Sequence, residues 1–288
     1  TYYKEEVGGL VMGGYEPNPI PWAEEGIPDG FNFQLLPSNF DHFEPIMELA
    51  LGLVPALQTA GIKELINGPE SFTPDGNFIL GQAPELTGFY VGAGFNAFGI
   101  ASGGGAGKAL AEWIAGDGHP PYDLAPVDIL RFGRNHQDVA WVRARTLEAY
   151  GKHYTIAWPY EEHASGRPLR RSPLYDRLKA EGAVFGEKLG WERPNWFASA
   201  GEEARDRYTF GRPNWTGAVA REHQTARSGL GVLDQSSFAK FLLIGRDAEA
   251  ALSAVSAADV AGPAGSVTYA PILNLRGGIA CDVTGAPL

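Results

Sequence analysis

Residues 88–114, GFYVGAGFNAFGIASGGGAGKALAEWI, decide how this chain is read. Tyr90 and Val91 favour a strand. Glycines then fall at 92, 94, 99, 103, 104, 105 and 107, and residues 106–115 place Ala, Leu, Trp and Ile on one helical face before Gly116. The pattern predicts a strand, a glycine-rich turn and a helix whose N-terminus carries no large side chains. Such a terminus offers unpaired N–H groups and about half a positive charge. Glycines also let a ligand lie against the backbone, so the segment suits an anion or the electron-rich edge of a ring. The same glycines equally serve tight packing of a helix on a strand, and the pattern alone does not choose between the two.

Working outward, residues 2–14, with EVGGLVMGG, predict a single strand whose backbone is closely approached. Residues 15–37 hold five prolines and predict a loop. Asp41 with Glu44 resembles a capping box for a helix reaching about residue 60 and bent at Pro55, with Phe43, Ile46, Met47, Ala50, Leu51 and Val54 at helical spacing. Residues 77–80 and 88–94 predict two short strands joined at Pro84. Downstream, helices are expected over 137–150, 173–182, 217–229 and 247–258, and strands over 240–244 and 267–273. Composition shifts near 119–126, HPPYDLAP, and a turn at 167–173 are candidate domain boundaries.

With 288 residues, 44% of them hydrophobic, the chain is long enough for one large domain or two modest ones. A net charge of -11 repels phosphate backbones and argues against nucleic-acid binding. No run of about 18 apolar residues suggests a membrane span, and TYYKEEVGG at the start has neither a basic nor an apolar leader region. Thr1 and Leu288 both suggest a piece of something longer. The single cysteine, Cys281, fits a reducing setting such as a bacterial cytoplasm or a mitochondrial matrix, and is expected as a small buried residue. The six histidines show no metal-ligand spacing, and His153 and His163 are expected as ordinary surface residues. Arg167, Arg170 and Arg171 predict a solvated or carboxylate-paired patch, and Asp234 a cap on the turn at Ser236 and Ser237.

Residues 68–114, from GPESFTPDGNFILG through the glycine segment, resemble the C-terminal part of the FAD-binding domain of the D-amino-acid-oxidase-like family, in its sarcosine and dimethylglycine dehydrogenase branch. The resemblance implies that the turn lies against the pyrimidine side of the isoalloxazine, where helix dipoles favour the charge of the reduced ring. It marks Gly94, Phe95, Asn96, Ala97, Phe98, Gly99 and Ile100 as flavin-contacting, although Phe95 and Phe98 are equally suited to a core. Two positions depart from the related oxidases. Ala101 stands where they carry an oxygen-activating lysine, which implies a dehydrogenase passing electrons to a protein acceptor, and Gly68 stands where they attach flavin through cysteine. No GxGxxG follows an N-terminal strand, so pyrophosphate and adenine recognition is expected upstream of Thr1.

Residues 172–197 (SPLYDRLKAEGAVFGEKLGWERPNWF), 221–245 and 265–283 resemble the aminomethyltransferase, or glycine-cleavage T-protein, fold. That resemblance implies Asp282 as the functional acid after a GG turn, with Tyr269 lining a folate pocket and Asn274 nearby. Where T-proteins usually show two adjacent acids, this chain has Cys281 and Asp282. Read without the family, Asp282 serves equally as a strand-end acid capping amides. The expected fold class is therefore a multidomain α+β and α/β chain. It would comprise the C-terminal part of an FAD domain over 1–118, a central connecting domain over 119–171, and the start of a folate-binding domain over 172–288. The implied activity is FAD-linked oxidation of an N-methyl amine, with the one-carbon unit captured by tetrahydrofolate. The alternative is a non-catalytic relative resembling the regulatory subunit of pyruvate dehydrogenase phosphatase.

Overall fold

Val7 and Gly8, at φ 49° and 74°, turn the first segment back on itself, so the expected single strand is a hairpin in the computed structural model. Strands β1 (Tyr2–Glu6) and β2 (Gly9–Gly13) pair antiparallel from Glu6↔Gly9 to Tyr2↔Gly13. Two successive positive φ values are what a two-residue turn needs to match strand twist. The described residues are 1–116, 118–120 and 122–288. Pro121, within the expected boundary near 119–126, and Asp117, before it, lie outside them. Two compact units result, Thr1–Ser237 and Phe238–Leu288.

In the first unit, helix α1 spans Phe40–Leu53. Its cap is Asn39, whose side-chain oxygen accepts from the His42 amide at 3.0 Å, so the expected Asp41 capping box is not the device used. Pro55 lacks the N–H that would continue the ladder. The chain therefore leaves the α-helix at Val54 and makes a separate 3-10 turn, Pro55–Gln58, rather than a bent helix to residue 60.

Strands β3 (Ile79–Gln82) and β4 (Tyr90–Ala93) form the next antiparallel hairpin, centred on Leu80, which is 1% exposed. Burying that side chain stabilises the fold by roughly 1.5–3 kcal/mol. Helix α2 (Gly99–Ala115) lies on this hairpin and buries Ala106, Ala109 and Trp113. Gly92 permits the approach, since a Cβ there would stand 3.3 Å from Leu110 Cδ1. The helix begins seven residues before the expected 106, so most of the glycine cluster is helical, and the turn proper is 94–98.

Two 3-10 turns, Ile129–Arg131 and Arg134–Gln137, lead to helix α3 (Val139–Gly151), capped by Asp138 through the amides of Ala140 and Trp141. Helix α4 (Tyr175–Ala180) precedes hairpin β5 (Ala183–Lys188) and β6 (Trp191–Phe197). Helix α5 (Thr216–Ser228) covers it through a core of Val184, Trp196 and Ala218. Two ion pairs tie this hairpin to what precedes it: Arg145 of α3 to Glu187 at 2.8 Å, and Arg167 to the buried Glu192 at 2.6 Å. Arg171 stands 3.8 Å from Asp176 and Arg170 lies over the Trp191 ring, both exposed, so the arginine patch is in part carboxylate-paired and in part solvated, as expected. His163 is half-buried, its Nδ1 making no hydrogen bond but standing 3.7 Å from Glu148 Oε2, and is not an ordinary surface residue. Asp234 accepts from the Ser236 amide at 3.0 Å, as expected of a turn cap.

In the second unit, helix α6 (Ala248–Val255) precedes hairpin β7 (Thr268–Leu273) and β8 (Ile279–Gly285), with Ala270 fully buried. The strand expected over 240–244 does not form. No strand among the described residues pairs with it, and Phe241 is 92% exposed. Cys281, expected to be buried, is exposed. No helix among the described residues is long and apolar enough to cross a membrane.

Candidate functional site

Gly94, Asn96 and Ala97 all take positive φ, at 62°, 50° and 67°, and this run bends the chain from β4 into α2. A Cβ on Gly94 would stand 2.7 Å from Thr73 Cγ2, so only glycine fits there. Asn96, 1% exposed, holds the bend. Its Nδ2 donates to Gly94 O at 2.6 Å, its Oδ1 accepts from the Thr73 amide at 2.9 Å, and its own amide donates to Ser71 O at 3.2 Å. Thr73, 3% exposed, donates its hydroxyl toward Asn77 O at 2.8 Å and lies 3.1 Å from Asp75 Oδ1. Asp75 in turn receives Arg131 through two bonds, Nε to Oδ2 at 2.6 Å and Nη2 to Oδ1 at 3.1 Å. Burial works to raise the Asp75 carboxyl, but the Arg131 guanidinium and the Asn77 and Thr73 donors outweigh it and hold it low.

The seven flavin candidates thus separate by geometry. Asn96 spends both its side chain and its backbone N–H on its own chain, and so presents no donor outward. Phe95 stacks on Phe78, centroids 5.1 Å apart, as a packing residue. Ala97, Phe98, Gly99 and Ile100 are exposed, Ile100 completely. No side chain caps α2, and the Ser102 amide, donating to Phe98 O at 2.9 Å, is the first to close the ladder. The amides of the first turn and the open glycines behind them suit the electron-rich edge of a planar ring such as a flavin.

Beside the turn stands an aromatic cluster that sequence reading passes over: Tyr15, Phe72, Phe98, Tyr150, His153 and Tyr154. Phe98 meets His153 at 5.3 Å, His153 meets Tyr15 at 4.5 Å, and Tyr15 meets Tyr154 at 4.8 Å. His153, expected as an ordinary surface residue, therefore sits among five other rings of this cluster. Burial, with the charge of Glu70 next, pushes the Tyr15 hydroxyl up to about 12. Tyr150 is pushed up further, by burial and by donating to Glu16 at 2.8 Å. Glu70, on the surface but short of full hydration, has its carboxyl raised. These residues come from positions up to 139 apart with no shared period, and nothing local in the sequence announces them.

In the second unit, Tyr269 pairs with Thr284 and Pro271 with Asp282. Cross-strand partners point to one face, so Tyr269 and Asp282 are diagonal neighbours on the same face, roughly 7–8 Å apart. That face is open, with Tyr269 62% exposed and Asp282 exposed. Asn274 sits at the turn, its Oδ1 accepting from the amides of Arg276 at 2.9 Å and Gly278 at 3.0 Å, and so it shapes the hairpin.

Three family models match in order: FAD dependent oxidoreductase over 1–113, FAD dependent oxidoreductase central domain over 117–172, and GCVT N-terminal domain over 174–288. A 4-methylaminobutanoate oxidase (formaldehyde-forming) of Paenarthrobacter nicotinovorans is 41% identical, over 98% of this chain and 34% of that protein. Human mitochondrial sarcosine dehydrogenase is 39% identical, over 99% of this chain and 33% of that protein. The mouse mitochondrial pyruvate dehydrogenase phosphatase regulatory subunit is 37% identical, over the whole chain and 33% of that protein. The chain spans about a third of the length of the curated relatives it matches. With all three domain matches in sequence, the chain has the domain order FAD dependent oxidoreductase, central domain and GCVT N-terminal domain, and is similar along its length to about a third of the length of proteins named sarcosine and dimethylglycine dehydrogenase.

Proposed function

We propose that this chain forms one wall of a flavin site and the opening of a folate-binding domain in an enzyme that oxidatively demethylates a small N-methyl amine. The observation that carries the reading is the bend at 94–98, built by positive φ values and delivering the uncapped end of α2. FAD, when bound, would accept the hydride equivalent from the amine carbon, leaving an iminium. This chain's part is to present the bend of Gly94, Phe95, Asn96, Ala97, Phe98, Gly99 and Ile100 to the ring, with the N–H dipoles of the first turn of α2, at Gly99 and Ile100, directed toward it. Tyr269 and Asp282 are assigned to tetrahydrofolate, the carboxylate accepting from pterin N–H groups in contacts of roughly 1.5–3 kcal/mol each. Asn274 supports them by fixing the turn. The functional divisions are proposed as 1–118, 119–171 and 172–288, and the electron acceptor as a protein. The setting is proposed as a bacterial cytoplasm or a mitochondrial matrix.

Asp282→Ala in a full-length protein carrying this chain tests the division of labour. Amine-dependent flavin reduction is expected to stay near wild type, while tetrahydrofolate binding weakens or the yield of methylene-folate falls. Loss of flavin reduction with intact folate binding would contradict it. A second reading, a non-catalytic regulator, is favoured by the 37% identity to the phosphatase regulatory subunit along the whole chain. A full-length protein that purifies without flavin would support that reading instead.

A further inference from the structure

The bend that carries the proposed flavin contacts is not held by its own segment alone. Asn96 is fixed by Thr73, Thr73 adjoins Asp75, and Asp75 is gripped by a guanidinium 56 residues further along. Arg131 sits in the 3-10 turn Ile129–Arg131, inside the stretch matched by the central-domain family model, whereas the bend lies in the stretch matched by the FAD-domain model. It makes four hydrogen bonds: two to the Asp75 carboxylate, one to Asn77 O at 2.8 Å and one to Asp128 O at 3.0 Å. Its guanidinium carbon also stands 4.1 Å from the centroid of the Phe132 ring. The same central stretch joins the backbone of β3, where Leu80 N donates to Val127 O at 2.8 Å.

We infer that Arg131 is a positioning residue for the flavin-facing bend, acting through Asp75, Thr73 and Asn96. The inference rests on the proposed flavin reading and extends it by giving the central domain a part in setting the cofactor site. Arginine suits the place because its planar fork meets both carboxylate oxygens at once while a further N–H reaches the Asn77 carbonyl. Asp75 is thereby fixed in the orientation that accepts from the Asn77 amide at 3.2 Å and faces Thr73. Without the fork, Asp75 is free to turn away, and the Thr73–Asn96 clasp loses its outer support. The hydrogen bonds of Arg131 go to Asp75, Asn77 and Asp128 and to none of the seven proposed flavin-contacting residues, so it is not a catalytic residue.

The test uses a full-length protein with its flavin, comparing wild type, Arg131→Met and Arg131→Lys. Anaerobic reduction by amine and the flavin midpoint potential are measured beside thermal stability. Arg131→Met is expected to retain flavin, to slow reduction roughly ten- to a hundredfold, and to move the potential more negative because the α2 amides no longer sit squarely at the reduced ring. Arg131→Lys, which keeps the charge but not the fork, is expected to fall between. Should Arg131→Met not fold, an intermediate shift in Arg131→Lys supports the inference, and wild-type kinetics and potential in that variant overturn it. A lower melting temperature with unchanged potential and reduction rate would mean that the pair is structural only, and would also overturn it. A wild-type protein that holds no flavin would remove the proposed function itself and this inference with it, which separates the two failures.

Discussion

Asn96 and Ile100, four residues apart, were equally marked by family resemblance, and the fold gives them opposite circumstances. Asn96 is sealed in, and its carboxamide satisfies the Thr73 amide and the Gly94 carbonyl. Asn96→Ala leaves both of those groups without their partner and puts alanine at φ 50°, which asparagine tolerates better. The expected loss is about 2–3 kcal/mol in urea unfolding of the chain. Ile100→Ala, by contrast, removes a side chain that touches nothing, and is expected to change the same measurement by less than about 0.5 kcal/mol. The difference was not legible in the sequence because it depends on Thr73, 23 positions away, which no local pattern links to Asn96. The hairpin carrying Tyr269 and Asp282 is more legible, although both side chains lie on an open face and not at the mouth of a cavity. Placing an acid just past the Gly277–Gly278 turn predicts that the chain folds back beside the Tyr269 strand, and local turn chemistry is what a sequence displays most directly.

Helix α2 shows where propensity misleads. Each glycine inside a helix costs about 1 kcal/mol relative to alanine, which argues for starting the helix at Ala106. Packing of Ala106, Ala109 and Trp113 on the β3–β4 hairpin overrides that cost and carries the helix back to Gly99. Gly103→Ala and Gly104→Ala are expected to raise the melting temperature of this chain, each adding about 0.4–1 kcal/mol, since an added Cβ meets nothing within 4 Å. In the full-length protein the same changes are expected to lower flavin content, read from the visible absorbance band. The opposite error occurs at 240–244, where a strand-like run stays unpaired because strands need neighbours that sequence period does not supply.

Helix α3 illustrates an electrostatic anchor. Burial works to raise the Glu148 carboxyl, but Lys152, Ser165 and the amides of Ala164 and Ser165 together hold it down at about 2. A carboxylate depressed in the folded state contributes stability that is complete above its ordinary value near 4.5 and is lost as pH falls toward 2. Glu148→Gln is expected to flatten that acid limb of an unfolding-versus-pH curve while leaving its slope unchanged above pH ~6.

At the scale of the whole molecule, the order of domains was legible through resemblance, whereas the ties between distant segments were not. The Arg145–Glu187 and Arg167–Glu192 pairs and the aromatic cluster at Tyr15 join residues brought together only by the fold. This 288-residue chain by itself contains the wall at 94–100 and no GxGxxG run, and is expected to purify without a stoichiometric flavin band, while a full-length protein carries one. A yellow preparation of this chain alone would contradict the proposal. The bare flank of α2 adds a means of watching that completion. Gly103, Gly104, Gly105 and Gly107 face open space, so the amides around them have little to keep their hydrogen bonds shut, while residues beside Trp113 are gripped from the hairpin. Deuterium should enter 99–107 sooner than 108–115. The delay it suffers once other parts of the protein or a cofactor settle there would time, peptide by peptide, how late in assembly this surface is closed.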